Sequence, residues 1–300
     1  MASLRELRRR IKSVDGIRQI TRAMEMVAAT KLRRAQTRIE AGRPYTDKMD
    51  DILAHLAKAA LSGSIEHPLM TPRDVIKKIL IIGVASDKGL CGSFNANVFR
   101  RVEAHARAAR DNGQEVTLLV IGRKINDFFK RRSWQLHPAT QNYIHIDSKL
   151  PTNLLSEITD ICTKAFLSGQ TDRVDMIYTE FRSAIVHKVV QRQFLPIAGI
   201  ASGEAPQGDS HLLVLDYIFE PAPEKLFTIL IPKYARVVIF RTLADSLASE
   251  HGARMNAMHN ATKNAADMIK SLTLQRNKAR QTAITKELAE IVGGAEALVG

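Results

Sequence analysis

About 60 residues near the end of the chain, 233–292, contain no proline and only one glycine, Gly252. Small or apolar side chains recur there at alternating steps of three and four, the spacing of a coiled-coil seam: Met255, Met258, Thr262, Ala265, Ile269 and Leu272. A helix of that length would extend about 90 Å, further than a domain that this chain could fold around it. Because so long an apolar stripe does not stay exposed in water, the pattern predicts that other helices or proteins cover it.

The first partner is predicted within the same chain. Residues 3–43 begin with a capping box, in which Ser3 is followed by Glu6. The predicted stripe then runs through Leu4, Leu7, Ile11, Val14, Ile17, Ile20, Met24, Ala28, Leu32, Ala35 and Ile39. The helical pattern resumes after Pro44, over residues 47–61. We therefore expect the N- and C-terminal helices to form a long antiparallel two-helix coiled coil.

The segment between these helices has an α/β pattern. Apolar runs predict strands at 76–85, 115–121, 175–181 and 185–194, with 212–219 either one more strand or an extended approach to the last helix. Helical patterns at 95–109, 124–130 and 151–168 alternate with them. The alternation predicts a central Rossmann-like α/β domain with a mostly parallel sheet and an antiparallel hairpin at one edge. The predicted divisions are 1–62 for the N-terminal coiled-coil helix, 73–205 for the α/β domain and 211–300 for the C-terminal coiled-coil helix.

The chain is strongly basic, with a net charge of +13. Residues 1–48 hold thirteen Lys/Arg against five Asp/Glu, and the clusters around Arg8 and Arg9 and around Lys31 and Arg34 interleave with the apolar stripe. Such runs are typical of a solvated helix face or of a surface that meets an acidic partner. Phe, Tyr and Trp are absent from residues 1–44, so this helix offers no platform for stacking bases, which favours a protein partner over nucleic acid.

The sequence offers no recognisable active site. Residues 86–93, SDKGLCGS, follow the first predicted strand but match neither phosphate-binding glycine pattern, so a tight turn is favoured over a nucleotide site. Cys91 and Cys162 are the only cysteines, which indicates a reducing compartment and no disulfide framework. No histidine lies at metal-ligand spacing. We therefore predict no catalytic residues, no bound cofactor and no metal site.

Three segments resemble one family, the gamma subunits of F-type ATP synthases. Residues 284–297, ITKELAEIVGGAEA, carry the family pattern Ile/Val-Thr-x-Glu, an acid three residues later, and then Gly-Ala. Residues 17–36, IRQITRAMEMVAATKLRRAQ, and the loop 86–95, SDKGLCGSFN, resemble the same family. The order of helix, α/β domain and helix also agrees. The chain lacks the cysteine-bearing insertion of the chloroplast members, so thiol regulation is not expected.

The resemblance implies a central-stalk rotor that couples proton flow through the membrane sector to ATP synthesis or hydrolysis, without catalysing the reaction itself. One copy per complex would turn inside a ring of three alpha and three beta subunits and join the epsilon subunit and the membrane c-ring. The complex would lie on the cytoplasmic face of the inner membrane of a bacterium, since no transit peptide precedes the first helix.

The resemblance also assigns roles to residues. It implies beta-subunit contacts at Arg280, Gln281, Thr285, Glu287, Met24, Arg8, Arg9, Lys31 and Arg34. It implies an apolar bearing at the end of the last helix, formed by Leu288, Ile291, Val292, Ala295 and Leu298. The alternative function is a basic coiled-coil protein that binds nucleic acid or serves as a scaffold. Salt-sensitive retention on DNA would favour that alternative, and copurification with a nucleotide-hydrolysing hexamer would favour the rotor.

Overall fold

The structure, a computed structural model, describes residues 3–60, 67–144, 150–197 and 223–299, without the side chains of 54–55, 57–60, 223–224 and 295–299. The predicted strand at 212–219 lies outside this part of the chain. Two compact units are present: one combines Met1–Ala29 with Arg254–Gly300, and the other is Thr30–Ala253. We call the first the helical unit and the second the sheet unit. The predicted divisions at 1–62, 73–205 and 211–300 remain predictions.

Two long helices occupy the ends of the chain. Helix α1 spans Leu4–Ala60 and continues through Pro44, and the last helix, α5, spans Pro223–Val299 and continues through Pro232. Both prolines are exposed, so solvent can reach the carbonyl groups that lose a hydrogen-bond donor inside the helix. A proline on the wet side of a long helix is therefore tolerated, and neither Pro44 nor Pro232 ends its helix.

A four-stranded sheet forms the centre of the sheet unit. Its strands are β1 (Lys78–Val84), β2 (Glu115–Ile121), β3 (Arg173–Phe181) and β4 (His187–Leu195), in the spatial order β2-β1-β3-β4. The first three are parallel, and β4 pairs antiparallel with β3. Helices α2 (Phe94–Asp111), α3 (Arg123–Lys130) and α4 (Thr152–Leu167) supply the crossovers, as parallel strands require. The predicted α/β domain with its antiparallel edge hairpin is confirmed.

The sheet separates two apolar layers. On one face, Ile81, Val120 and Ile177 pack with the buried sides of α2 and α3. On the other face, Ile82, Leu119 and Met176 pack with α4 and with buried side chains of α1 and α5. A short 3₁₀ helix, Pro138–Tyr143, also packs there through Tyr143 and was not predicted, because six residues are too few to show a period.

Small side chains bring α5 close to the sheet. Ala235, Ala244 and Ala248 are buried, as is Ser249, whose hydroxyl donates to the Thr179 carbonyl at 3.2 Å. At Gly252, an added Cβ would lie only 3.1 Å from the Ala184 carbonyl oxygen in the β3–β4 turn. The single glycine of the predicted helix therefore lies where the hairpin turn contacts the helix backbone.

The helical unit pairs α1 with α5 in opposite directions. The Thr262 hydroxyl lies 2.8 Å from the Thr21 hydroxyl, and His259 Nδ1 lies 2.9 Å from Glu25 Oε1, so rising numbers on one helix meet falling numbers on the other. Leu7, Thr21, Ala28, Met258 and Ala265 are the buried positions of this pairing. The predicted antiparallel coiled coil is confirmed.

The predicted seam of α1 was wrong at Ile17 and Ile20, which are 51% and 62% exposed, while Thr21 is buried. The sequence interpretation followed apolar residues at mixed steps. The contacts instead keep a regular seven-residue phase through Leu7, Val14, Thr21 and Ala28, although one of these residues is polar. A threonine whose hydroxyl donates to its own helix, as Thr21 does to the Arg18 carbonyl, and accepts from Thr262 can occupy a seam position that apolar patterning would not assign to it.

Gly122 is the glycine whose replacement should cost most. It has φ +109°, and an added Cβ would lie 2.2 Å from the Ala85 carbonyl oxygen at the end of β1. We expect Gly122→Ala to lower the unfolding free energy by about 3 kcal/mol or more, because both backbone strain and a backbone clash oppose the new side chain. Urea unfolding followed by the fluorescence of Trp134, the single tryptophan, measures this directly in the sheet unit.

Gly113→Ala is the matched control. Gly113 also has a positive φ, +77°, but nothing lies within 4 Å of an added Cβ. Its cost should be only the left-handed backbone strain of about 1–2 kcal/mol. Equal losses for the two variants would show that the contact with Ala85 has no role in the effect at Gly122.

Candidate coupling surfaces

The end of α5 in the helical unit carries the main predicted contact residues. Arg280, Gln281, Thr285 and Glu287 are all exposed. The Thr285 hydroxyl donates to the Gln281 carbonyl at 2.9 Å, as is usual for threonine in a helix. Within the described part of the chain, the side chains of Arg280, Gln281 and Glu287 have no hydrogen bond or ion pair, so their polar groups are available to a partner.

The predicted bearing lies just beyond these residues. Leu288, Ile291 and Val292 are 57%, 68% and 62% exposed, and Ile284 is exposed as well. The side chains of Ala295 and Leu298 lie outside the described residues. Leu288 and Val292 share a helix face with Gln281 and Thr285, at steps of four, three and four residues. One face thus changes along the helix from hydrogen-bonding to apolar side chains.

The α1 part of the helical unit presents Arg8 and Arg9 as exposed cations and Met24 as a half-buried side chain. Met24 belongs to a second apolar row, Ile17, Ile20, Met24 and Val27, at steps of three, four and three. The isoleucines and Val27 are exposed. Sequence reasoning missed this surface because it assigned Ile17 and Ile20 to the seam. The available signal was that α1 carries more apolar positions than one narrow seam can bury.

Lys31 and Arg34 belong to the sheet unit, where they line a small cavity of about 220 Å³. Both side chains are exposed. The other lining residues are Ala35, Arg38, Leu150, Ala244, Leu247 and His251. The cavity therefore has a cationic rim over an apolar floor, and none of the described residues that line it is a carboxylate. This combination suits an acidic segment that also carries apolar side chains.

A larger cavity of about 630 Å³, which sequence reasoning did not predict, lies between α1, α5 and the β3–β4 turn of the sheet unit. Asp245 and Glu180 line it together with Arg241 and Arg182. Burial raises the pKa of Asp245 to about 6, against the opposing effect of Arg241. Burial likewise raises the pKa of nearby Asp50, while a hydrogen bond from Tyr234 lowers it. These carboxyl groups lie far apart in the sequence, so no local pattern could reveal them.

The glycine-rich loop after β1 is closed by its own hydrogen bonds. Asn95 Oδ1 accepts from the Ser86 backbone N–H at 3.1 Å and from the Ser86 hydroxyl at 2.9 Å, and Asn95 Nδ2 donates to Cys91 Sγ at 3.3 Å. Cys91 and Cys162 are buried free thiols, and burial raises the pKa of Cys162 to about 12. The side chain of Asn95 thus occupies the position beside the α2 N-terminus, and the loop is the tight turn that the sequence favoured.

Metal-binding clusters and membrane-spanning helices are absent from the described residues. They include no group of three or more His, Cys, Asp or Glu side chains that could hold a metal ion. None of their helices combines the length and the apolar character needed to cross a membrane.

Comparison with known proteins identifies the family. The family model described as ATP synthase matches residues 3–298. The ATP synthase gamma chain of Chloroherpeton thalassium is 41% identical over 310 residues and covers 99% of both chains. That of Pelotomaculum thermopropionicum is 42% identical over 298 residues and covers 99% of this chain and 100% of the relative. The chain belongs to the ATP synthase gamma-chain family.

Solved structures agree with this gamma-chain assignment. A chain of the Euglena gracilis mitochondrial ATP synthase, described as OSCP/F1/c-ring, has a TM-score of 0.65 at 17% identity over 98% of this chain and 94% of that one, which supports the fold. A chain from the central stalk and c-ring of the Tetrahymena thermophila mitochondrial enzyme has a TM-score of 0.56 at 25% identity and covers 81% of this chain and 99% of that one. The fold of two long terminal helices and an α/β domain is thus shared with chains of these two ATP synthase assemblies.

The raised pKa of Asp245 predicts a pH-dependent stability. Below the ordinary aspartate pKa of 3.8 the carboxyl is neutral in both states, but between 3.8 and about 6 the folded chain holds the proton more tightly. Stability therefore falls as pH rises through this window, and the ionised buried group costs about 3 kcal/mol above it, at about 1.4 kcal/mol per pKa unit. Asp245→Asn should stabilise the chain by up to about that amount at pH 8 and by little at pH 4.

Urea unfolding of the parent chain and of the Asp245→Asn variant between about pH 4 and pH 8 tests this pH dependence. Asp111→Asn is the control, because Asp111 is an exposed aspartate at the end of α2. A stability difference between Asp245→Asn and the parent that does not change with pH would contradict the expectation.

Proposed function

We propose that this chain is the central-stalk rotor of an F-type ATP synthase and couples ion flow through a membrane sector to ATP synthesis or hydrolysis. It acts mechanically and carries out no chemistry itself. Its partners are a ring of three alpha and three beta subunits around the helical unit, and the epsilon subunit and c-ring at the sheet unit. One copy serves each complex, on the cytoplasmic face of the inner membrane.

The bare end of α5 is the observation that carries this proposal. Ala279 and Ala283 are half-buried, but all residues from Ile284 to Gly294 are exposed, including four large apolar side chains. Isolated proteins do not keep such a helix end in water without a use for it. A ring that encloses the helix end removes the apolar surface from water and leaves the helix able to turn.

The polar residues beside this surface provide the coupling in the proposal. Arg280 can donate two parallel hydrogen bonds to a carboxylate, and Gln281 offers a donor and an acceptor next to it. On a turning helix these bonds form at one angle and must break before the next. They would hold one beta subunit in a chosen conformation, because a contact that differs between two conformations shifts their populations. Lys31 and Arg34 would contact acidic beta-subunit segments in the same manner, and Met24 would add an apolar contact to a beta subunit.

The exposed end of α5 predicts a difference between the free and the assembled chain. In the free chain, trypsin should cleave first after Arg280 and Lys286, because no packed side chains oppose local unfolding there. The β-strands of the sheet unit should survive much longer. In the assembled complex the same two bonds should be protected. Equal cleavage at Lys286 in the free chain and in the complex would contradict enclosure by a ring.

Arg280→Leu tests the coupling contact. In a complex reassembled with its own alpha and beta subunits, the variant should change the steady-state rate of ATP hydrolysis roughly ten- to a hundredfold. A charge-assisted hydrogen bond is worth about 1.5–3 kcal/mol, and this energy enters the barrier between rotational states. Assembly should stay intact, because one contact contributes little to holding a long helix inside a ring.

Lys278→Leu is the control for this experiment. It removes the same charge from an exposed side chain about 200° around the helix from Arg280. Its rate should stay within about twofold of the parent complex. A rate within twofold for Arg280→Leu as well would exclude the coupling role, and loss of assembly would make Arg280 a structural residue instead.

A further inference from the structure

One charged surface has no role in the function described so far. Helices α2 and α3 with the turn after α3, residues 94–111 and 123–132, carry nine Lys/Arg and three Asp/Glu. They cover the sheet face opposite to the one that packs against α1, α4 and α5. The cationic excess therefore lies apart from Lys31 and Arg34. We call its central residues Arg100, Arg107, Arg110, Arg131 and Arg132 the α2–α3 face; all of them are exposed.

Two of these guanidinium groups stack on aromatic rings. The Arg110 guanidinium carbon lies 3.9 Å from the centre of the Trp134 ring, and that of Arg132 lies 3.6 Å from the centre of the Phe128 ring. Phe99 packs on Phe128 with ring centres 4.6 Å apart. A stacked guanidinium loses little rotational freedom when it binds a ligand, and its edge keeps N–H groups for a forked hydrogen bond.

The local carboxylates do not neutralise this face. Glu103 pairs with Arg107 at 2.8 Å and lies 3.8 Å from Arg132. Among the described residues, no carboxylate lies within 4 Å of the basic groups of Arg110 or Arg131. Arg110 is thus both stacked and, among those residues, unpaired, and such a cation raises the local potential and attracts a partner of opposite charge.

We propose that the α2–α3 face docks an acidic protein surface, on a subunit that approaches the sheet unit from the side opposite to α5. Stacked arginines suit the paired oxygens of carboxylates. A membrane would be met better by aromatic rings free to insert, but Phe128 and Trp134 are half-buried beneath Arg132 and Arg110, and Phe99 is half-buried against Phe128. The same covering leaves no open ring for nucleobases to stack on. The inference rests on the proposed function in one respect only: the test uses the ATP synthase complex to which the proposed function assigns this chain.

The test places a photoreactive benzophenone amino acid at position 107, whose native side chain is 68% exposed in the centre of the face. After irradiation of the purified, membrane-bound complex, we expect one adduct with a protein subunit, in a peptide rich in Asp and Glu. The same probe at Lys164, exposed on α4 across the sheet, is the matched control and should not label that peptide. Lipid adducts, nucleic-acid adducts or no adduct at position 107 would overturn the proposal.

Two double variants then distinguish the effect of the positive charge from that of the planar guanidinium group. Arg110→Glu with Arg132→Glu should lower the adduct yield about tenfold or more, because like charges meet across the interface. Arg110→Lys with Arg132→Lys keeps the charge but loses the flat fork, so its loss should be smaller. Unchanged yield in the glutamate pair would refute the docking. ATP hydrolysis by the same preparations shows whether the rotor itself is intact, so failure of the proposed function is recognised separately.

Discussion

The close packing of α5 on the sheet is the contact on which the rest of the structure depends. Alanines at 235, 244 and 248 and the glycine at 252 leave room for the helix backbone to approach β3 and its turn, and the Ser249 hydroxyl donates to the Thr179 carbonyl. Interiors at this packing density do not deform continuously. A torque applied to the sheet is therefore transmitted directly to α5 at this contact. A rotor needs such a contact where the driven domain meets its helix.

The helical unit is built in the opposite manner. Its seam includes the Thr21–Thr262 hydrogen bond and the Glu25–His259 pair, and these polar groups bury little apolar area. A hydrogen bond such as that between the exposed His259 and Glu25 adds little stability. What the polar layer provides is register, because a shift of one helix along the other would leave the two threonine hydroxyl groups without each other. The pairing is thus specified more strongly than it is stabilised, as suits a helix pair that the proposed ring would complete.

The sequence predicted those parts of the fold that depend on local period. Strand β2 was predicted at its observed limits, 115–121, because a continuous apolar run bounded by turn residues has few alternatives. The sequence could not predict that α1 and α5 continue through Pro44 and Pro232, since this depends on which side of each helix faces solvent. The candidate residues at the α5 end came from the family resemblance and remain predictions, whereas Asp245 and the α2–α3 face were not predicted. The pKa of Asp245 depends on burial, and Arg110 stacks on Trp134 in a different segment of the chain, so no pattern of neighbours encodes either; only Arg132 and Phe128 form a local pair.

The distribution of positive charge follows the same division. Along α1, cations alternate with apolar positions, so charge and apolar contact must be presented to a partner together, as at Lys31 and Arg34 with Leu247 below them. On the α2–α3 face the apolar rings are covered and only the guanidinium edges remain. The first arrangement favours a partner that is both acidic and apolar and that changes with angle, while the second favours a purely polar contact that is weakened by salt. The net charge of +13 is therefore distributed over two different kinds of surface.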